Sequence, residues 1–172
     1  MYEYIDLEFS EYSEEVFNKI QRGALLTVKQ GDILNTMTIG WGSIGILWSL
    51  PTFTVMVRKS RYTYELLKEA ESFTISVPLG EDKDERLSIC GMQSGRDTDK
   101  IQLCDFDVVP GRVVDTPIIG DYELHYECKL IYKSMMNPGL LAPEVLQAKY
   151  PLEDYHGFYI GQIVDSYLIK KI

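Results

Sequence analysis

The sequence predicts a mainly β protein: an antiparallel sheet closed into a barrel, with short helical inserts. Three observations predict it. Apolar and polar residues alternate with a period of two in segment after segment. Pairs of such segments are separated by Gly-Asp or Pro-Gly, the chemistry of tight turns. Helix signals are few, and each covers only two or three turns. With 172 residues, 45% of them apolar and 25% charged, the chain fits one domain, residues 1–172, with a sizeable core and no disorder.

Along the chain, residues 24–29 and 33–41 flank Gly31-Asp32 and read as a hairpin. In its second arm Met37, Ile39 and Trp41 point one way, and Thr36, Thr38 and Gly40 the other. Phe53, Val55 and Val57 alternate with Thr52, Thr54 and Met56. Phe73, Ile75 and Val77 alternate with Thr74 and Ser76, and Pro78 stops that strand. The longest alternation sets Tyr122, Leu124, Tyr126, Cys128, Leu130 and Tyr132 against Glu123, His125, Glu127, Lys129, Ile131 and Lys133. It predicts a half-exposed strand with His125 solvated on its charged face. Val108-Val109 and Val113-Val114 flank a Pro110-Gly111 turn, and residues 158–169 supply a last strand. Helices are expected over 61–71 with Ser60 or Thr63 as cap, over about 84–90 with Gly91 as stop, and from Pro143 to before Pro151.

Several function classes are excluded early. Seventeen Lys and Arg against 26 Asp and Glu leave a formal charge of −9, unsuited to a broad nucleic-acid or anionic-membrane surface. An anionic ligand must then be held by a local cationic cluster. Residues 33–57 carry no charge over 25 positions, long enough to span a bilayer. Seven Asn, Ser or Thr residues, three glycines and Pro51 within that window argue for buried strands instead. Cys90, Cys104 and Cys128 contain no C-x-x-C pair and read as reduced thiols of a cytoplasmic protein. The acidic N-terminus lacks the pattern of a secretory signal.

Gly40-Trp41-Gly42-Ser43-Ile44-Gly45 spells the G-x-G-x-x-G of dinucleotide-binding folds. Only five residues separate Gly45 from Pro51, too few for the helix that must point at the pyrophosphate. A sharp bend between strands is the reading that survives. Residues 58–63, Arg-Lys-Ser-Arg-Tyr-Thr, are more informative. They bring three cations and two hydroxyls to a strand–helix junction with free backbone N–H groups, as a phosphate site requires. A solvated turn with a capping hydroxyl fits the same spacing. Residues 32–41 set small polar groups at a strand end where backbone can meet a flat ligand, and 94–100 form a polar loop ending in Lys100.

In this order the segments resemble the flavin reductase-like, FMN-binding split-barrel family, over about residues 20–168. The resemblance rests on Asn35-Thr36-Met37-Thr38 with Gly40-Trp41, on Ser60-Arg61-Tyr62-Thr63 before Glu65-Leu66, on residues 73–78, and on Cys90-Gly91 ahead of Ser94-Gly95-Arg96-Asp97 and Asp99-Lys100. It implies a six-stranded antiparallel Greek-key split barrel, a homodimer, and FMN at the barrel mouth. Asn35, Thr36, Met37 and Thr38 would border the isoalloxazine and ribityl chain. Ser60, Arg61 and Thr63 would hold the phosphate, with Arg58 and Tyr62 near it, and Lys100 would reach flavin or phosphate. His156, just before the last strand, could approach the flavin or lie on the surface. Trp41 and Trp48 read as core or dimer contacts. The resemblance further implies an oxidoreductase with no catalytic side chain. Reduced nicotinamide (NADH or NADPH) would pass electrons through FMN to a flavin, metal or protein acceptor. A flavoredoxin-like electron carrier with little reductase turnover is the alternative. No metal site, nucleic-acid partner or membrane partner is expected.

Overall fold

The computed structural model describes residues 1–80 and 84–172. In chain order they form β1 (Tyr2–Asp6), α1 (Ser13–Ile20), β2 (Ala24–Gln30), β3 (Ile33–Ile39), β4 (Gly42–Leu47), β5 (Leu50–Arg58), α2 (Tyr62–Leu67) and β6 (Ser72–Val77). Then follow α3 (Glu85–Met92), α4 (Lys100–Leu103), β7 (Val108–Val109), β8 (Ile118–Ile119), β9 (Leu124–Met135), α5 (Pro143–Lys149) and β10 (His156–Lys171).

Eight strands make one antiparallel sheet in the order β3-β2-β6-β9-β10-β5-β4, with β1 also paired to β10. β10 is the seam. One of its edges pairs with β9 over Gly157–Leu168. The other is shared, by β5 over His156–Gln162 and by β1 over Tyr167–Lys171. The sheet is therefore a split barrel, as the family resemblance implies, and not the closed barrel that alternation alone suggests. Its terminal strands β3 and β4 share no ladder among the described residues; the chain passes between them at Gly40-Trp41. The strand count also exceeds six, because β1 and β4 are added to the ladder.

Alternation predicted the inner face well. Phe53, Val55, Val57, Phe73, Ile75, Leu124, Tyr126 and Cys128 are fully buried in one core cluster with Leu26 and Val28. Leu66, Leu67 and Ala70 join it from α2 and the residues after it. The hairpin expected at Gly31-Asp32 forms with Gln30 opposite Ile33. Gly31 adopts φ +57°, a left-handed conformation that glycine takes without a Cβ penalty. The bend at Gly40-Trp41 leads into β4, a strand rather than a continued bend. It turns back at Trp48 and Ser49, both at positive φ, the geometry of a two-residue hairpin turn.

Other expectations are corrected. The first half of β9 is buried on both faces, so His125 and Glu127 are not solvated. β7 pairs with β8, not with residues 113–114. The backbone of 112–114 turns inward instead to donate to the Glu127 carboxylate, a task that leaves no ladder for Val113-Val114. α2 is shorter than expected and starts at Arg61 as N-cap, with no side-chain cap from Ser60 or Thr63. α3 runs through Gly91 to Met92, and its N-cap is Asp84, whose carboxylate accepts from the Arg86 N–H. β1, α1 and α4 carried no signal strong enough to predict. Their apolar positions are few, and α4 is a single turn held by Asp99, which accepts from the N–H groups of Ile101 and Gln102.

Candidate functional site

The end of β3, the β5–α2 junction, the end of α3, the 93–99 loop and α4 converge. Each is set there for a local reason. β3 is fixed by its full ladder with β2. β5 delivers Arg58 to its last ladder position, opposite His156 of β10. The Arg61 N–H closes the following turn on the Arg58 carbonyl. Gly95 allows the 93–99 loop to lie on β3: a Cβ there would collide with Asn35 Oδ1 and stand 2.9 Å from the Tyr62 ring. Only glycine permits that approach.

These elements enclose a cavity of about 110 Å³ walled by Asn35, Met37, Ser60, Arg61, Tyr62, Thr63, Cys90, Arg96 and Lys100. Two wider clefts share its walls. One, about 160 Å³, continues past Met37 and Arg61 to Thr38, Trp41, Arg58 and His156. The other, about 390 Å³, continues past Asn35, Tyr62 and Lys100 to Asp32 and Asp99. A larger concavity of about 610 Å³ between Lys29, Glu71, Thr116 and Lys129 shares no residue with them.

The structure thus brings every residue that the resemblance assigns to FMN onto the walls of these three openings, with different tasks. Asn35 and Thr63 are nearly fully buried, and the Asn35 amide donates to Thr63 Oγ1 at 2.8 Å. The Thr36 hydroxyl turns inward, accepting from Thr27 Oγ1 at 3.1 Å and donating to the Leu26 carbonyl. Met37 packs in the core, and Thr38 donates to the Leu87 carbonyl. The Ser60 N–H and hydroxyl both donate to the Asp154 carboxylate, at 3.1 and 2.6 Å. A side-chain anion therefore already sits on Ser60. Tyr62 lies under the Arg96 guanidinium, 5.5 Å from its ring centroid and so within the reach of about 6 Å for a cation–π contact.

The cations have unusual partners. Arg61 donates to the Gly91 carbonyl at 2.7 Å, and Lys100 to the Cys90 carbonyl at 3.3 Å. Arg58 donates to the carbonyls of Asp154 and Lys149 and covers the Tyr150 ring. Among the described residues none of these three forms an ion pair, whereas Lys29, Arg86, Arg96, Arg112 and Lys171 do. Lys100 is only 4% exposed, and that burial pulls its pKa below the ordinary lysine value. The neutral carbonyls leave the cavity with surplus positive charge.

His156 is buried, not a surface histidine. Its Nδ1 lies 2.7 Å from the Tyr150 hydroxyl, and its ring is 5.1 Å from that of Trp41. Burial first, and Arg58 second, push its pKa down to about 4, so it is neutral near pH 7. Trp41 lines the cleft rather than the core, and Trp48 is exposed on the β4–β5 turn. Sequence reasoning missed Arg96, Tyr150 and Asp154 as members of this site. Arg96 sat inside a polar loop already noted, and Asp154 lies two residues before His156. Tyr150 had no signal beyond its place between a helix and Pro151.

A model of the flavin reductase like domain matches residues 21–171. The chain belongs to this family. Among solved structures it is similar to flavoredoxin of Desulfovibrio vulgaris, 27% identical with a TM-score of 0.66, over 85% of this chain and 68% of that one. Flavoredoxin of Methanosarcina acetivorans is 28% identical with a TM-score of 0.64, over 84% and 67%. An FMN-binding domain of a flavin reductase-like enzyme from Shewanella baltica, 19% identical, shares the fold over 96% of this chain and 77% of that one, with a TM-score of 0.68. An uncharacterised protein of Archaeoglobus fulgidus is 28% identical over 97 residues, 56% of this chain; the match spans about half, 54%, of that protein's own length. No helix among the described residues is long and apolar enough to cross a membrane.

Proposed function

We propose that this chain is an FMN-binding oxidoreductase that takes electrons from NADH or NADPH and passes them to a flavin, metal or protein acceptor. One observation carries the reading: Arg61 and Lys100 wall a phosphate-sized cavity, Arg58 stands in the cleft that adjoins it, and among the described residues all three donate only to neutral carbonyls. Burying unpaired charge is costly, and an anion in the cavity would offset that cost. The residues fit a mononucleotide phosphate. Arg61 and Lys100 would hold it, the Asn35–Thr63 pair would hydrogen-bond it, and Arg96 would close the rim over Tyr62. Ser60 would join them only by exchanging Asp154 for the phosphate.

The adjoining cleft suits a flat ring. Met37 and Trp41 offer apolar walls, the β3 backbone at 35–38 offers polar edges, and neutral His156 lies at one side. When bound, FMN would supply reversible hydride and electron exchange at its isoalloxazine. The protein would bind it, orient it and limit water at its inner face. No side chain need act as nucleophile.

A flavoredoxin-like electron carrier is favoured as the second reading by the two flavoredoxins, the relatives named above with 27–28% identity and high coverage. A second copy of the chain would cover the exposed Ile46, Leu47 and Trp48 of the β4–β5 hairpin, consistent with a homodimer. Free FMN titrated into the purified protein should bind with quenched fluorescence, and protein as purified should release FMN on denaturation. A colourless protein that takes up no added FMN would overturn both readings. Oxidation of NADH or NADPH with and without free flavin then separates them, since a carrier turns over under neither condition.

A further inference from the structure

We infer that Tyr150 is a positioning residue that locks His156 in one tautomer, so that the histidine presents an N–H donor, at Nε2, to the cleft. The Tyr150 hydroxyl and His156 Nδ1 are 2.7 Å apart, and both residues are about 95% buried. Either atom could in principle donate, but the two choices are not equal. Nδ1 is the only hydrogen-bond partner of the Tyr150 hydroxyl among the described residues. If the imidazole donated, the phenol proton would be left without a partner, a desolvation penalty that no bond offsets. If the phenol donates, both atoms are satisfied. Nδ1 is then the unprotonated nitrogen, and the single proton of a neutral imidazole must be on Nε2.

The ring is neutral because it is buried and because Arg58 is its neighbour across the β5–β10 ladder. Arg61 acts in the same sense as Arg58 and Asp154 in the opposite one, but the Asp154 carboxylate is committed to Ser60. Nε2 has no partner among the described residues, yet it is not among the fully buried unpaired polar atoms. It therefore reaches the cleft that His156 lines together with Trp41 and Arg61. The Tyr150 ring is itself fixed, with Arg58 over its face at 5.1 Å and its edge toward His156 at 82°. Tyr150 ends α5, so the 136–155 excursion between β9 and β10 holds the orienting group against the seam strand of the barrel.

The functional consequence rests on the FMN reading. A directed N–H beside the flavin edge stabilises charge that grows on reduction, as fixed donors do wherever negative charge develops. Losing the lock would allow the proton to move to Nδ1 and turn an acceptor toward the flavin.

The test is ¹⁵N-edited NMR of the imidazoles near pH 7. The two histidines are assigned by the signals lost in His156→Gln. The expected pattern in the unsubstituted protein is a pyridine-like Nδ1 and a pyrrole-like Nε2 for His156. A pyrrole-like Nδ1 would overturn the proposal, with no variant needed. In Tyr150→Phe, checked for fold by circular dichroism, the His156 nitrogens should shift toward each other or exchange character; an unchanged pattern would also refute the lock. In the FMN-loaded protein, Tyr150→Phe should lower the flavin midpoint potential while binding stays within several-fold. Failure of FMN to bind the unsubstituted protein would sink the FMN reading and leave the tautomer result to stand or fall on its own spectra.

Discussion

Two polar clusters of opposite charge sit in this barrel, one buried around Glu127 and one part-buried around Arg61 and Lys100, and they are completed differently. Around Glu127 the chain supplies everything. The N–H groups of Arg112, Val113 and Val114 donate to the carboxylate at 2.7–2.9 Å, and the Tyr167 hydroxyl donates at 2.6 Å. Around Arg61 and Lys100 the chain supplies only backbone carbonyls. A buried carboxylate with four donors is saturated and belongs to the fold. A buried Lys100 and a half-buried Arg61 facing neutral acceptors are satisfied as donors and unneutralised as charges, a condition that an anionic ligand would relieve. The difference separates structural polarity from functional polarity without reference to any relative.

The largest expected effect breaks the closed cluster. Glu127→Leu strands three backbone N–H groups and a tyrosine hydroxyl in the interior, each worth about 1–3 kcal/mol when unpaired. A loss of at least ~3 kcal/mol in urea-induced unfolding is expected, enough to threaten folding in a domain of ordinary stability. A near-neutral result would mean that the 111–114 segment re-solvates freely, and that the cluster is less closed than its geometry.

Next comes the open cluster, where the sign of the comparison reverses. Arg61→Ala removes one charge-assisted contact to the proposed phosphate, worth about 1.5–3 kcal/mol, or roughly 10- to 100-fold in FMN affinity. Apo stability should change by less than ~1 kcal/mol, because the lost partner is a single carbonyl. Titration of FMN fluorescence against unfolding curves of the same variant tests both halves. Equal losses in affinity and stability would erase the distinction between the clusters.

The same contrast explains what the sequence could and could not reveal. The cationic junction 58–63 was legible because charge, hydroxyls and a strand–helix boundary occur together within six residues. Asn35 and Lys100 came from motif resemblance, and their geometry needed the fold: Gly95 brings the 93–99 loop to within a Cβ's reach of β3. Glu127 was misjudged for a physical reason. Alternation reports which face is apolar, and β9 alternates faithfully, but its polar face is covered by the 111–114 segment over its first half. Period-two patterning cannot foresee a loop that supplies donors to a buried acid. Ser60 was identified by type as a phosphate ligand, while its present partner, Asp154, lies 94 residues away. The barrel's six inner strands were visible; β1 was not, because its pattern is almost wholly exposed.

Lys100→Met sharpens the comparison through pH. Burial lowers the Lys100 pKa below its ordinary 10.5. Between the folded and unfolded values the unfolded chain holds the extra proton, so apo stability should rise with pH across that alkaline window. Below the folded value the cost of the buried charge is constant and full. The substitution should flatten this slope, leave apo stability near pH 7 unchanged or higher, and weaken FMN binding. An anion in the cavity favours the charged lysine, so FMN binding should take up protons in the same window. Calorimetry in buffers of different ionisation enthalpy reads that uptake, and its absence would detach Lys100 from the phosphate.

The smallest effect concerns Asp154, the acid bound to Ser60 beside the open cluster. Asp154 accepts from the Ser60 N–H and hydroxyl, the donors that a phosphate at this junction would otherwise use. Its carboxylate is a resident competitor, and it also subtracts from the positive potential of Arg58 and Arg61. Asp154→Asn keeps an oxygen able to accept from the Ser60 N–H but removes the charge. FMN affinity should therefore rise by a few-fold, less than 1.4 kcal/mol because the carboxylate is partly solvated. Ser60→Ala in the unsubstituted background should change affinity less than Arg61→Ala does, since its hydroxyl is engaged elsewhere. In the Asp154→Asn background the Ser60→Ala penalty should grow, because the hydroxyl is then easier to release to the phosphate. Equal penalties in the two backgrounds would show that Ser60 and Asp154 form a structural pair, and would leave phosphate recognition to Arg61, Lys100 and the Asn35–Thr63 pair.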